Sequence, residues 1–143
     1  DVKINSRFRS NLVGICQPTV LCAYGDGCIE IGDHVGISGA IISSRDRITI
    51  GDYVTIGGNV RIFDHDFHSL DSKHRRDGKM DRENIRSTPV VIEEDVFIGT
   101  NATILKGVHV GARTIIGAGS VVALREIPPD SVVVGNPARI ISN

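Results

Sequence analysis

IEEDVFIGTNATILKGVHVGARTIIGAGSVV, residues 92–122, places an aliphatic side chain at every sixth position: Ile92, Ile98, Ile104, Val110, Ile116 and Val122. The fifth place of each hexad is small or β-branched (Val96, Ala102, Val108, Thr114, Ser120), and the second is often Gly, as at Gly99, Gly111 and Gly117. Working outward, the same spacing runs through Ile31 and Ile37 and then through Ile50, Ile56 and Ile62, with Val35, Val54 and Val60 in the fifth place. An amphipathic helix needs apolar residues at steps of three and four; here short β-branched runs alternate with Gly, Asp and Asn at turn positions.

A parallel β-helix satisfies this period. Each hexad makes one flat side and a corner, and three hexads make a coil whose apolar residues point inward. Residues one coil apart then stack at about 4.8 Å, the spacing of hydrogen-bonded strands. One coil buries no core alone, but neighbouring coils cover each other and the core becomes a column. The period leaves the hand of the coil open.

Composition agrees with one domain. The 143 residues are 41% hydrophobic but only 4% aromatic, with no Trp, which suits a narrow column filled by Ile, Val and Ala. A net charge of −1 argues against nucleic acid or a membrane surface as the main partner. No apolar run reaches membrane-spanning length and no signal-peptide pattern is present. The chain begins at Asp1 rather than Met, so a preceding segment is left open. Cys16, Cys22 and Cys28 are six apart, which in a hexapeptide coil puts them on three different sides, too dispersed for a shared metal or a disulfide. Reduced structural cysteines fit a cytoplasmic setting.

The chain divides into a polar, irregular lead-in (1–12), coils at 13–63 and 89–127, an interruption at 64–88, and a cap or return strand at 128–143 opened by Pro128-Pro129. Pro18 and Gly25 disturb the first coil, and the thirteen residues from Ile37 to Ile50 place one extra near Ser43–Asp46. The interruption, DHDFHSLDSKHRRDGKMDRENIRST, holds three of the five histidines. A loop of that length without periodicity is rare unless it carries function. Most of its charges (Lys73, Arg76, Lys79, Asp81, Arg82, Glu83) read as a solvated surface; His65 and His68 lie where the chain leaves the rigid coil.

The repeats, DHDFHSLD at 64–71, the resumed repeats at 92–122 with GAGSVV, and IPPDSVVVGNPARII at 127–141 resemble the hexapeptide-repeat acyltransferases over nearly the whole chain. Within them the resemblance is to the sugar and polysaccharide O-acetyltransferase branch, including the galactoside and maltose acetyltransferases. It implies a left-handed β-helix, a homotrimer, acetyl-CoA as co-substrate, no metal, and a carbohydrate acceptor.

The family's catalytic histidine falls on His68. A sugar hydroxyl must lose its proton as it attacks a thioester carbonyl, and a neutral imidazole, with an ordinary pKa near ~6.5, can take it. No acyl-enzyme is needed, so the cysteines need not be nucleophiles. Asp64 and Asp66 are the nearest carboxylates in sequence, and Asp64 is the first choice to orient the ring; His65 and Asp66 are candidates for acceptor contact or for shielding the site. The resemblance places the Thr100 amide at the acyl group, where negative charge grows on the thioester oxygen. It places Gly117 and Ala118 along the pantetheine arm and Arg139 near the nucleotide, with Arg125 or Lys106 as further phosphate contacts. Ser38 stands where simple-sugar enzymes carry an acceptor-binding Asn; the family's helical N-terminal region, with its acidic residue, has no counterpart; and Leu124 occupies a usually basic position.

Other readings stay open: N-acetylation of an amino sugar, a γ-type zinc carbonic anhydrase, and a non-catalytic hexapeptide scaffold. The histidines at 34, 65, 68, 74 and 109 do not recur at one-coil spacing, as a zinc site built on the repeat requires.

Overall fold

Ile37, Ile56, Ile98, Ile116 and Val133 stand one above another in register across parallel strands, and each is fully or almost fully buried. Two further columns do the same: Ile42, Ile62, Ile104 and Val122, and Ile50, Ile92, Val110 and Ile127, the latter headed by a half-buried Ile31. These are the inward columns of a three-sided left-handed parallel β-helix, seen here in a computed structural model describing residues 1–142. Each buried Ile contributes on the order of 2 kcal/mol relative to exposure. Buried hydroxyls in the corners find partners, as where Ser120 Oγ accepts from the Gly135 amide at 3.1 Å.

The first face carries Lys3–Asn5, Gly36–Ser38, Thr55–Ile56, Phe97–Ile98, Ile115–Ile116 and Val132–Gly135, closed by the antiparallel return strand Ala138–Ser142. Val20–Ala23, Ile41–Ser44, Arg61–Phe63, Thr103–Ile104 and Val121–Val122 form the second face. The third comprises Cys28–Ile31, Arg47–Ile50, Val90–Ile92, His109–Val110 and Glu126–Ile127. At the corner from first to second face the chain turns through a left-handed residue, Asn59 (φ 59°), Asn101 (φ 59°) or Gly119 (φ 69°), positions that Asn and Gly tolerate. Coils pack tightly at this corner: a Cβ on Gly99 would lie 2.6 Å from the Ala118 nitrogen.

Three expectations need correction. The lead-in is not wholly irregular, since Lys3–Asn5 adds a strand to the first face beside Gly36–Ser38. Val20–Ala23 and Cys28–Ile31 are regular strands despite Pro18 and Gly25. The segment 64–88 is an extrusion from the coil but not a structureless one: it holds a 3-10 turn at His74–Arg76 and a helix at Gly78–Glu83. The three cysteines are free; Cys22 lies on the second face, Cys28 on the third, and Cys16 in the irregular segment just before Val20–Ala23 rather than on a side of the coil. Among the described residues no helix is long and apolar enough to cross a membrane.

Candidate active site

The extruded segment leaves and rejoins the coil at the corner between second and third faces, through a paired base. Thr88 N–H donates to Asp64 O (2.8 Å), Asp66 N–H to Arg86 O (3.1 Å), and His65 faces Ser87 in an antiparallel bridge. Beyond this base, Asp77 starts the helix at Gly78–Glu83 by accepting from the Lys79 and Met80 amides, both at 2.9 Å, bonds that hold its carboxyl below its ordinary range. One turn in, Asp81 points back toward the first turn of the extruded segment. Its Oδ2 lies 2.6 Å from His68 Nδ1 and its Oδ1 accepts from the Ser69 amide at 2.7 Å.

Those contacts, His68 first, depress the Asp81 pKa, so the carboxylate is ionised at neutral pH and only accepts. His68 Nδ1 is therefore the protonated nitrogen, and Nε2 carries the lone pair. The His68 side chain is 69% exposed, so that lone pair faces solvent rather than the protein. Arg75 fastens the same turn through a 2.7 Å bond from Nη1 to Ser69 O.

Asp81, read from sequence as surface charge, is thus the carboxylate that orients His68. Asp64 is not. It is fully buried, and its oxygens are spent on Ser44 Oγ (2.6 Å) and the Arg45 and Asp46 amides (2.8 and 2.9 Å), pinning the corner that holds the extra residue. His65 is also turned away from a role at the acceptor: Nδ1 accepts from the Phe67 amide at 3.1 Å, which makes Nε2 the donor to Ser43 Oγ at 3.1 Å. Burial holds the His65 pKa below its ordinary value. Asp66 Oδ1 pairs with Lys106, which takes Lys106 out of the phosphate contacts expected of it, while Asp66 Oδ2 is buried with no partner among the described residues. The signal for Asp81 was present in the sequence as an Asp-Gly helix start followed by an acidic residue in the first turn.

A second constellation lies along the first face, beside its corner with the second. A groove of about 560 Å³ is lined by Asn5, Asn11, Val13 and Ser38 toward one end and by Thr100, Gly117 and Ala118 toward the other, with Phe97 and Ile115 on its floor. The flanking amides are all used: Gly99 to Ile116 O and Gly117 to Val133 O at 2.8 Å, Asn101 to Gly58 O and Gly119 to Thr100 O at 2.9 Å. The Thr100 and Ala118 amides, between them, donate to no acceptor among the described residues. They are outward-facing N–H groups in an apolar trough, the arrangement that stabilises a developing oxyanion or holds an amide-containing arm. Absence of side chains at Gly117 and shortness at Ala118 let such an arm approach the backbone.

Ser38, Thr100, Gly117 and Ala118 are therefore gathered at one corner, while His68 lies at another, a whole side of the coil away. Arg125 belongs to the His68 corner, and Arg139 lies on the return strand of the first face, its Nη1 on Ala138 O. His34 stacks on Tyr53 and His109 sits between Glu93 and Glu126, both on the coil, while His74 bonds Ser69 Oγ beside the His68 turn.

The triangular coil with its corner amides and interrupting histidine loop defines a hexapeptide-repeat transferase. Residues 89–123 match the model of the bacterial transferase hexapeptide (six repeats). The chain is 35% identical over 125 residues to an Escherichia coli K12 protein provisionally named a lipopolysaccharide biosynthesis O-acetyl transferase, covering 85% of this chain and 63% of that one. With the galactoside O-acetyltransferase of Escherichia coli K12 it shares 35% identity over 126 residues, 87% of this chain and 58% of the relative. A crystal structure of a hexapeptide-repeat acetyltransferase from Vibrio cholerae, complexed with acetyl-CoA, superposes with a TM-score of 0.71 at 36% identity, covering 87% of this chain and 67% of that one. The chain belongs to the hexapeptide-repeat acetyltransferase family, and it spans less than two thirds of the length of those two Escherichia coli relatives.

Proposed function

We propose that this protein is an acetyl-CoA-dependent O-acetyltransferase acting on a hydroxyl of a sugar or polysaccharide precursor, with His68 as general base. The observation that carries the reading is the His68–Asp81 pair: a 2.6 Å bond fixes the tautomer with Nε2 as free base, on an arm projecting from a rigid coil. The acceptor hydroxyl oxygen attacks the thioester carbonyl carbon while its proton passes to Nε2. The negative charge that forms on the carbonyl oxygen is met by the Thr100 amide, and the C–S bond breaks as His68 returns the proton to the departing thiol. Gly117 and Ala118 accommodate the pantetheine arm, and Arg139, on the return strand of the first face, is the side chain assigned to the nucleotide.

The separation of His68 from Thr100 by a whole face supports a site shared between copies, the groove of one chain completed by the loop of the next. A homotrimer supplies three such junctions. A zinc-hydrolase reading gains nothing from the geometry: both ring nitrogens of His65 are bonded within the protein, Nε2 of His68 is free but is not joined by His34 or His109, which lie elsewhere on the coil, and His74 is bonded to Ser69.

The test is free-thiol release from acetyl-CoA across a panel of sugars, amino sugars and sugar nucleotides. Wild type releases thiol only with an acceptor present, and His68→Ala turns over about 10²-fold more slowly or worse, the scale of a lost general base. Equal turnover by the variant rejects His68 as the base. Preference for amines over hydroxyls moves the reading to N-acetylation.

A further inference from the structure

Where the extruded segment begins, the chain doubles back on itself within three residues. His68 N–H donates to Asp66 O at 2.7 Å, and Phe67 between them has φ 61°. A three-residue turn with its centre at positive φ is the rare and strained form, because a side chain there crowds the following carbonyl oxygen. The other residues with side chains at positive φ, such as Tyr53 and Asn101, stand at corners of the coil, where the same turn recurs from coil to coil. Among the described residues, Phe67 alone adopts it off the coil. Glycine takes such a position without steric cost, yet the sequence places an aromatic ring there.

Strain of this kind persists only where the surroundings hold it. The Phe67 ring stands perpendicular to that of Phe63, the last residue of a second-face strand, with centroids 4.8 Å apart, and its centroid is 4.2 Å from that of His65. Its amide donates to His65 Nδ1 at 3.1 Å, and His65 is itself fixed to Ser43 Oγ and met by the perpendicular ring of Tyr24. Asp66, the foot of the turn, donates its amide to Arg86 O and pairs with Lys106 of the coil. The turn thereby separates two histidines three residues apart: the His65 ring is buried against the second face, and the His68 ring emerges into solvent.

We infer that Phe67 is a positioning residue for His68: its ring, seated on Phe63 and His65, holds the strained turn that points the imidazole away from the coil and into line with Asp81. The inference rests on the transferase reading above. Asp81 holds the side chain at Nδ1 from the helix at Gly78–Glu83, and the turn holds the backbone amide from the coil, so the base is tied from both sides. Without the ring the turn loses its seat and relaxes, the His68 amide leaves Asp66 O, and the 2.6 Å alignment with Asp81 goes with it. A misplacement of about 1 Å at a reacting group costs up to about 10²-fold in rate.

The test pairs kinetics of the full chain with 15N shifts of the His68 ring above neutral pH, assigned against His68→Ala, which separate a fixed Nδ1–H tautomer from a mixture. Phe67→Gly removes the seat and relieves the strain; since 43% of Phe67 is exposed, no core packing is lost. It lowers kcat about ten- to hundredfold, leaves acetyl-CoA KM in place and turns the His68 signature into that of a mixture. Phe67→Tyr keeps the ring at a backbone angle that Tyr53, at φ 58°, already adopts, and retains both kcat and signature. An unchanged kcat or an unchanged His68 signature in Phe67→Gly, a shift in acetyl-CoA KM alone, or a Phe67→Tyr as impaired as Phe67→Gly overturns the inference. A wild type that releases no thiol with any acceptor fails the transferase reading, whereas the His68 signature, read without substrate, still accepts or rejects the hold of Phe67 on the ring.

Discussion

At the scale of single residues, the assignment turns on which proton sits where. Asp81→Asn keeps size and its bond from the Ser69 amide, but presents an amide N–H to His68 Nδ1. That nitrogen must then accept, Nε2 takes the proton, and the base is lost. A fall in kcat of about 10² with unchanged acetyl-CoA KM is expected, and unaltered kcat removes Asp81 from the account. His65 has a different role, in stability. Its folded pKa is lowered by burial, so the folded state resists protonation while the unfolded chain, near ~6.5, does not. Its contribution is complete above that unfolded value and declines as pH falls from it toward the lower folded one. Wild type should melt earlier at pH 5.5 than at 7.5 by a margin that shrinks in His65→Gln; equal margins contradict this. The place of His68 on the loop beside the coil was legible, because the repeat stops just before it in sequence. Its carboxylate partner was not, because proximity along the chain favoured Asp64, whereas the helix at Gly78–Glu83 brings Asp81 across a separation of 13 residues.

At the scale of elements, the interruption at 64–88 is a small scaffold with its own cap and paired base. A six-residue helix is too short to persist alone, so its start signal and the bonds of Asp81 to His68 and Ser69 must hold it. Asp77→Ala leaves the Lys79 and Met80 amides without their acceptor and costs about 1 kcal/mol. Because the helix carries Asp81, the loss should appear as faster amide exchange confined to residues 64–88 and a lower kcat, with the coil's exchange unmoved. Uniform exchange changes would show instead that loop and coil open as one unit. The repeat gave away every strand of the coil from Ile92 to Val122, since period and burial are the same fact there. It did not reveal the strand Lys3–Asn5 or the docking of Val13 and Ile15, which depend on a neighbour 33 or more residues away or on the absence of a side chain at Gly39 and Gly58.

At the scale of the whole molecule, a prism with smooth sides holds His68 and the Thr100 groove on different corners. The hexad period decides that arrangement: loops and corner amides recur on fixed edges, and no bending of a packed column brings two edges together. On the reading proposed above, activity requires a neighbour, and two inactive variants should repair each other. His68→Ala lacks the base; Ala118→Trp fills the exposed corner along which the donor arm lies and leaves the core untouched. The deciding measurement is acceptor-dependent thiol release by trimers co-assembled from these two variants, each inactive alone. Shared sites predict recovery to about a quarter of wild-type activity, the fraction of junctions that random assembly leaves with both parts intact. No recovery in verified mixed trimers would contradict the shared site and place donor groove and base within one chain.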